Sequence, residues 1–150
     1  MSVPYDTFIE VFLEKITEYK YLDPALGSSA KTRCCDGYLK RSCAQFNRKC
    51  SYDLTYRDDE KRVFNFSISN QDLDEIVDII SEGMVAQWFK PYANNSENLE
   101  NVINTSDFSN YSPAELLHRI REAYNESCSE FKKRMINYTY EHGDLTDLHI

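Results

Sequence analysis

The chain has 150 residues, a mass of 17.6 kDa and a net charge of −8, a size that suits one domain. An aromatic content of 13%, with eleven Tyr and eight Phe, is too rich for a disordered chain; four Gly and four Pro are too few for collagen-like, linker-like or Gly-rich phosphate-loop architectures. No apolar run approaches the roughly eighteen residues a membrane span needs, and the acidic balance disfavours general nucleic-acid binding, whose affinity comes mostly from neutralising phosphates.

Residues 4–19 carry Tyr5, Phe8, Ile9, Phe12, Leu13, Ile16 and Tyr19 at helical spacing. Pro4 suits a first helical turn, and Asp6, Glu10, Glu14, Lys15 and Glu18 fill the outer face. A connection follows, with turn signals at Asp23-Pro24 and Gly27-Ser28-Ser29. Thr32 is placed to cap a second helix over 33–49, whose apolar stripe is Cys35, Tyr38, Leu39, Cys43 and Phe46. Gly37 costs that helix up to about 1 kcal/mol relative to Ala and leaves room for a close helix approach.

The period then changes to two. Tyr52, Leu54 and Tyr56 alternate with polar residues, and Phe64, Phe66 and Ile68 share one face after the charged run Arg57-Asp58-Asp59-Glu60-Lys61. This predicts a β-hairpin over about 52–68, which must pack on the helices or on another chain to be stable.

Ser69 or Asn70 caps a third helix over about 71–90, with acidic residues in its first turn and Pro91 as its stop. Its stripe of Leu73, Ile76, Val77, Ile80, Met84 and Trp88, widened by Ile79, Val85 and Phe89, predicts the most buried helix. A polar connection covers 91–111. Ser112-Pro113-Ala114-Glu115 is a capping box that opens a fourth helix over 113–140. Its stripe is Leu116, Ile120, Ala123, Tyr124, Phe131, Met135 and Tyr138. Such a helix is roughly 40 Å long by the rise per residue, so one end is expected to project. The fold class that follows is mainly α: a four-helix bundle-like domain over 1–140 with an inserted β-hairpin, a long C-terminal helix and an extended C-terminal tail over 141–150.

No catalytic motif is present: no G-x-S-x-G, H-E-x-x-H, Walker loop or G-x-G-x-x-G. His118 and Cys128 would lie about 15 Å apart along one helix, too far for a dyad. Asp72-Leu73-Asp74-Glu75 lacks the central Gly and twelfth-position Glu of a calcium loop. His142 and His149 flank Asp144 and Asp147, but a terminal segment is poorly preorganised for a metal. The five Cys, at 34, 35, 43, 50 and 128, contain no C-x2–4-C pair, and with no basic n-region or long apolar stretch at the N-terminus they do not read as a secreted disulfide framework. Cys35 and Cys43, two helical turns apart, suit packing on one face. The six N-x-Ser/Thr sequons at Asn65, Asn94, Asn104, Asn110, Asn125 and Asn137 then carry no glycosylation meaning. The reading is of a non-enzyme with no cofactor and no metal site.

Charge is segregated. Residues 31–62 hold nine of the seventeen Lys and Arg against five acids, a balance of +4 against −12 for the remainder. A solvated helix face followed by a charged turn accounts for it; so would a basic patch that meets an acidic partner, a neighbouring copy or DNA.

Four stretches carry a family resemblance. They are Asp36-Gly37-Tyr38-Leu39-Lys40-Arg41, Asp74 to Trp88 (DEIVDIISEGMVAQW), Ser112-Pro113-Ala114-Glu115-Leu116-Leu117, and His142-Gly143-Asp144-Leu145-Thr146-Asp147-Leu148-His149-Ile150. In these, and in the order of its elements, the chain resembles the head–tail connector (neck adaptor) proteins of tailed bacteriophages of Gram-positive hosts. The Cys-rich stretch 34–50 departs from that pattern. The resemblance implies a structural virion protein forming a homo-oligomeric ring, with twelve copies expected. The ring would join the portal protein to the next tail or neck protein and continue the DNA channel without sequence-specific binding. It would sit in the neck of the virion, after assembly in the host cytoplasm, with no membrane contact. Leu145, Leu148, His149 and Ile150 would dock the tail on a partner. Arg57, Lys61, Arg62, Phe64 and Phe66 would make the inter-subunit or portal contact. A tail-terminator or tail-completion protein and a non-viral helical adaptor or regulator are the alternatives.

Overall fold

A computed structural model describes residues 2–22, 32–94 and 113–142. The tail residues Leu145, Leu148, His149 and Ile150 and the capping Ser112 lie outside the described residues. The elements in order are β1 (Val3–Pro4), α1 (Tyr5–Lys15), a 3-10 helix (Thr17–Leu22), α2 (Thr32–Phe46), β2 (Arg57–Asp58), β3 (Val63–Phe64), α3 (Asn70–Asn94) and α4 (Pro113–His142). The fold is mainly α, as the periodicity predicts, with a small antiparallel sheet.

Helix α3 is the hub, and α1, α2 and α4 each pack against it. Its burial is continuous from Ile79 to Ala86 except at Glu82, and Ile76, Val77, Trp88 and Phe89 extend it. Helix α1 contributes Tyr5, Phe8, Ile9 and Phe12 to this core, and α2 contributes Cys35, Leu39, Cys43 and Phe46. Ser42, also buried, gives its hydroxyl to the Tyr38 carbonyl at 2.9 Å. On α4 the buried face runs from Leu116 through Ile120, Phe131 and Met135 to Tyr138. Neither end of α4 therefore projects by more than about one turn, contrary to its expected overhang.

Ser69 begins α3 as predicted: its carbonyl accepts from Leu73 N–H at 2.9 Å and its hydroxyl from Asp72 N–H at 3.3 Å. The helix does not stop before Pro91. It runs on to Asn94, because the proline sits in the last turn, where one missing N–H costs little against the burial of Ala93. Arg121 Nε closes that end by donating to the Ala93 carbonyl at 3.1 Å.

The hairpin is shorter than predicted and gains a third strand. The sheet order is β1-β3-β2, with Val3 opposite Phe64 and Arg57 opposite Phe64 on the other side. Residues 52–55 leave the ladder because Asp53 intercepts the chain there, whereas the Tyr56 carbonyl still accepts the Asn65 N–H at 2.9 Å. The Asp53 carboxylate accepts the Thr55 N–H at 2.9 Å, the Asp53 carbonyl accepts the Tyr56 N–H at 3.2 Å, and the segment turns. Pro4, expected in the first helical turn, is the residue before it. With φ −66° and ψ 146° it is extended, and as part of an edge strand it needs no second partner.

Two glycines differ from expectation. A methyl at Gly37 would meet only Arg41 of its own helix, at 3.1 Å, so no other element approaches there. The close approach is at Gly83, where a Cβ would lie 2.7 Å from the Phe131 ring of α4.

Candidate interaction surfaces

The residues expected at a partner contact fall into two groups. Phe64 and Phe66 are buried in the chain's own core, a correction to their expected place on the surface. The reason is the sheet order: β3 is the central strand, and its inward face closes over α1. Phe64 lies 5.1 Å from the Tyr5 ring, 5.2 Å from Phe8 and 5.4 Å from Phe66, centroid to centroid.

Arg57 and Arg62 are largely spent within the chain. Arg62 forks onto Asp36, with Nε and Nη2 each 2.8 Å from a carboxylate oxygen, and Nη2 also reaches Asp6 at 3.0 Å. This holds its guanidinium well above its ordinary pKa, chiefly through the Asp36 hydrogen bonds. Its backbone, at φ 56°, is left-handed, and its carbonyl accepts the Tyr5 N–H at 2.9 Å. Arg57 donates to the Leu54 carbonyl at 2.9 Å and reaches Asp59 at 3.3 Å. Asp59 also accepts the Tyr5 hydroxyl at 2.5 Å, which holds its carboxyl below the usual range. Lys61 is exposed and has no ion pair among the described residues.

Lys15, assigned to the outer face, turns inward instead. Its Nζ lies 2.9 Å from both the backbone carbonyl and the carboxylate of Asp78, and 3.0 Å from Glu82. Asp78 is shared with Arg134, which also bonds Glu130 at 3.0 Å. One charge network thus ties α1, α3 and α4 together. Burial lowers the Lys15 pKa, opposed by the Glu82 charge.

His142 ends α4 rather than opening a tail. It stacks on Tyr138 at 4.3 Å, with Nε2 2.9 Å from Glu75. Ligand atoms of Asp72, Glu75 and His142 lie within 4.8 Å of one another, but Asp72 already accepts the Tyr52 hydroxyl at 2.7 Å. The cluster reads as a clamp between the start of α3 and the end of α4.

All five cysteines are free thiols; Cys35 and Cys43 are buried in the α2 face, as their spacing predicts, and Cys34 is exposed. Burial pushes the Cys43 thiol up to about 12.

Because α4 lies mainly on α3 and meets α2 near Tyr138, whose ring lies 5.0 Å from that of Phe46, a groove runs along each of its sides. Between α2 and α4 the groove encloses about 410 Å³; its floor includes Gly83, Ala86, Phe131 and Met135, and its only charged lining residues are Lys49, Lys90 and Lys132. Between α1 and α4 lie two adjoining hollows of about 450 and 390 Å³. There Lys15 and Arg134 are paired within the network above, while Glu18, Glu122 and Glu126 are exposed. Beyond that rim, Glu10 and Glu14 stand exposed one turn apart on α1.

Comparison with protein-family models, curated proteins and solved structures gives no match. The surface itself is therefore the guide to function. The three lysines escape a sequence reading because they come from the turn after α2, from α3 and from α4. The acidic run is visible in the sequence, since Glu10, Glu14 and Glu18 recur every four residues; the first two fall on α1 and the third in the 3-10 helix after it. No helix among the described residues is long and apolar enough to cross a membrane.

Proposed function

We propose that this chain is a structural virion protein, the subunit of a ring that joins the portal to the tail of a bacteriophage and continues the DNA channel. The observation that carries the reading is the run of connector-like wording at Asp36–Arg41, Asp74–Trp88, Ser112–Leu117 and His142–Ile150. Three of these stretches fall on helices that build or frame the hub: α2, α3 and the start of α4.

The physics of a ring supports it. A cyclic assembly uses two different faces of each copy, and this protomer presents a lysine-rimmed groove on one side and an acidic rim on the other. A net charge of −8 suits a channel through which DNA slides without being held. The role is structural rather than catalytic and needs no cofactor. The partners are the portal protein, neighbouring copies in a ring of twelve, and the next tail or neck protein. The place is the virion neck, reached from the host cytoplasm.

The test is to mix the chain with the portal of the same phage and image the product by electron microscopy. A second ring stacked on the portal and containing this chain is the expected result. A discrete small oligomer with no portal complex would overturn the reading in favour of a tail-completion part or a non-viral adaptor.

A further inference from the structure

The lysine groove has the features of a docking site for one helix. Its floor is apolar, with Ala86, Phe131 and Met135, and its charged rim is of one sign. Lys49, Lys90 and Lys132 are all exposed, and none has an ion-pair partner among the described residues. The outer face of α1 is its complement. Glu10 and Glu14 on α1, and Glu18 in the 3-10 helix that follows it, are exposed and have no ion-pair cation among the described residues. Glu10 and Glu14, like charges one turn apart on α1, repel, a local cost that a basic groove would remove. One α1 face cannot reach the groove of its own chain, because the buried side of α1 is fixed on α3.

We infer that the acidic face of α1 in one copy docks in the lysine groove between α2 and α4 of the next copy, so that the chain associates head to tail. The contact is heterologous: each protomer offers one donor face and one acceptor groove, and repetition closes a ring or continues a filament. It deepens the connector reading by naming the subunit contact, and in that respect rests on it. Its chemistry stands on the two charged faces alone. Two other occupants fit a basic groove less well. The net charge of −8 disfavours nucleic acid, and the tail Gly143–Ile150 brings two acids where Glu10, Glu14 and Glu18 bring three.

The experiment uses two full-length variants that reverse one face each: E10K/E14K/E18K and K49E/K90E/K132E. All six positions are exposed, so both variants should keep the parent's circular dichroism and melting temperature. Sedimentation velocity at low ionic strength should show the parent chain in species larger than a dimer. Each variant alone should associate at least roughly a hundredfold more weakly. Mixed one to one, the two should reassemble, because the reversed α1 face fits the reversed groove and the two native faces fit each other. The products should contain even numbers of subunits with strict alternation by native mass spectrometry.

A parent chain that stays monomeric or stops at a two-fold dimer would overturn the proposal, and so would variants that fail to rescue each other. If deleting residues 143–150 abolishes self-association, the groove belongs to the tail. If DNA binding is lost in K49E/K90E/K132E while self-association is unchanged, it belongs to phosphate. The two readings fail separately. Self-association through these faces without portal binding would sink the connector role and leave the contact. Portal-bound rings indifferent to both reversals would do the opposite.

Discussion

Cys43 and Arg62 show how far single side chains are set by their surroundings. The Cys43 thiol is raised by burial, so its neutral form is the one that fits the fold. Its contribution is fully present below its ordinary pKa near 9.0 and is lost as pH rises toward about 12. Tyr52, raised to about 12 mainly by its hydrogen bond to Asp72, loses its contribution above its ordinary 10.0. Urea midpoints measured in reducing buffer should therefore fall above pH 9. In Cys43→Ala the slope should be shallower by up to about 1.4 kcal/mol per pH unit. An unchanged slope would mean that the thiol is not what titrates. Arg62 answers a different question, since its left-handed backbone has a cost that glycine would not bear. Arg62→Gly keeps the turn and loses the fork onto Asp36, whereas Arg62→Ala loses the fork and keeps the strain. The expected order of stability is parent, then Gly by about 1–2 kcal/mol, then Ala by about 1 kcal/mol more. Chemical denaturation of the three proteins checks it, and equal losses would show that the backbone is unstrained.

The contact of α3 with α4 turns on Gly83, which admits the Phe131 ring. Gly83→Ala should cost about 1–3 kcal/mol, despite alanine's better helix propensity, because the Phe131 ring must shift to admit the methyl. Phe131→Leu frees space there, so in the double variant the two losses should add to less than their sum. Additive losses in a thermodynamic cycle would place the strain elsewhere. Helical elements were readable because their apolar residues recur at one period over several turns, as Tyr5, Phe8, Ile9 and Phe12 do. The hairpin was only half readable. Phe64 and Phe66 alternate inward as expected, but the Asp53 turn competes locally with pairing, and the third strand comes from residues about sixty positions away. Pro91 does not stop α3 because it falls in the last turn, where the rule against proline in helix interiors has little force. Gly83 and the three groove lysines carry no local signal at all, since their meaning lies in which helix packs beside them.

The clamp of His142 on Glu75 and Tyr138 already secures the end of α4. Deleting 143–150 should leave the melting temperature within about 2 °C of the parent, in keeping with small surface effects, while abolishing docking on the portal. Unfolding of the deletion would make that segment part of the core. Salt separates assembly from folding. Raising ionic strength from about 0.05 to about 0.5 M shortens the reach of exposed charges several-fold, which should loosen the oligomer, whereas the melting temperature, set by the apolar hub, should move little.

The central place of α3 also has a consequence during synthesis. Its wall for α4 emerges with Gly83, Ala86 and their neighbours, but Phe131, which plugs that wall, follows 48 residues later. At about 5–20 residues per second, a nascent chain holds an uncovered apolar helix for several seconds. Polysomes crowd many such chains together. Ribosome-associated chaperones are therefore expected to shield the Ile76–Phe89 stretch until α4 has emerged.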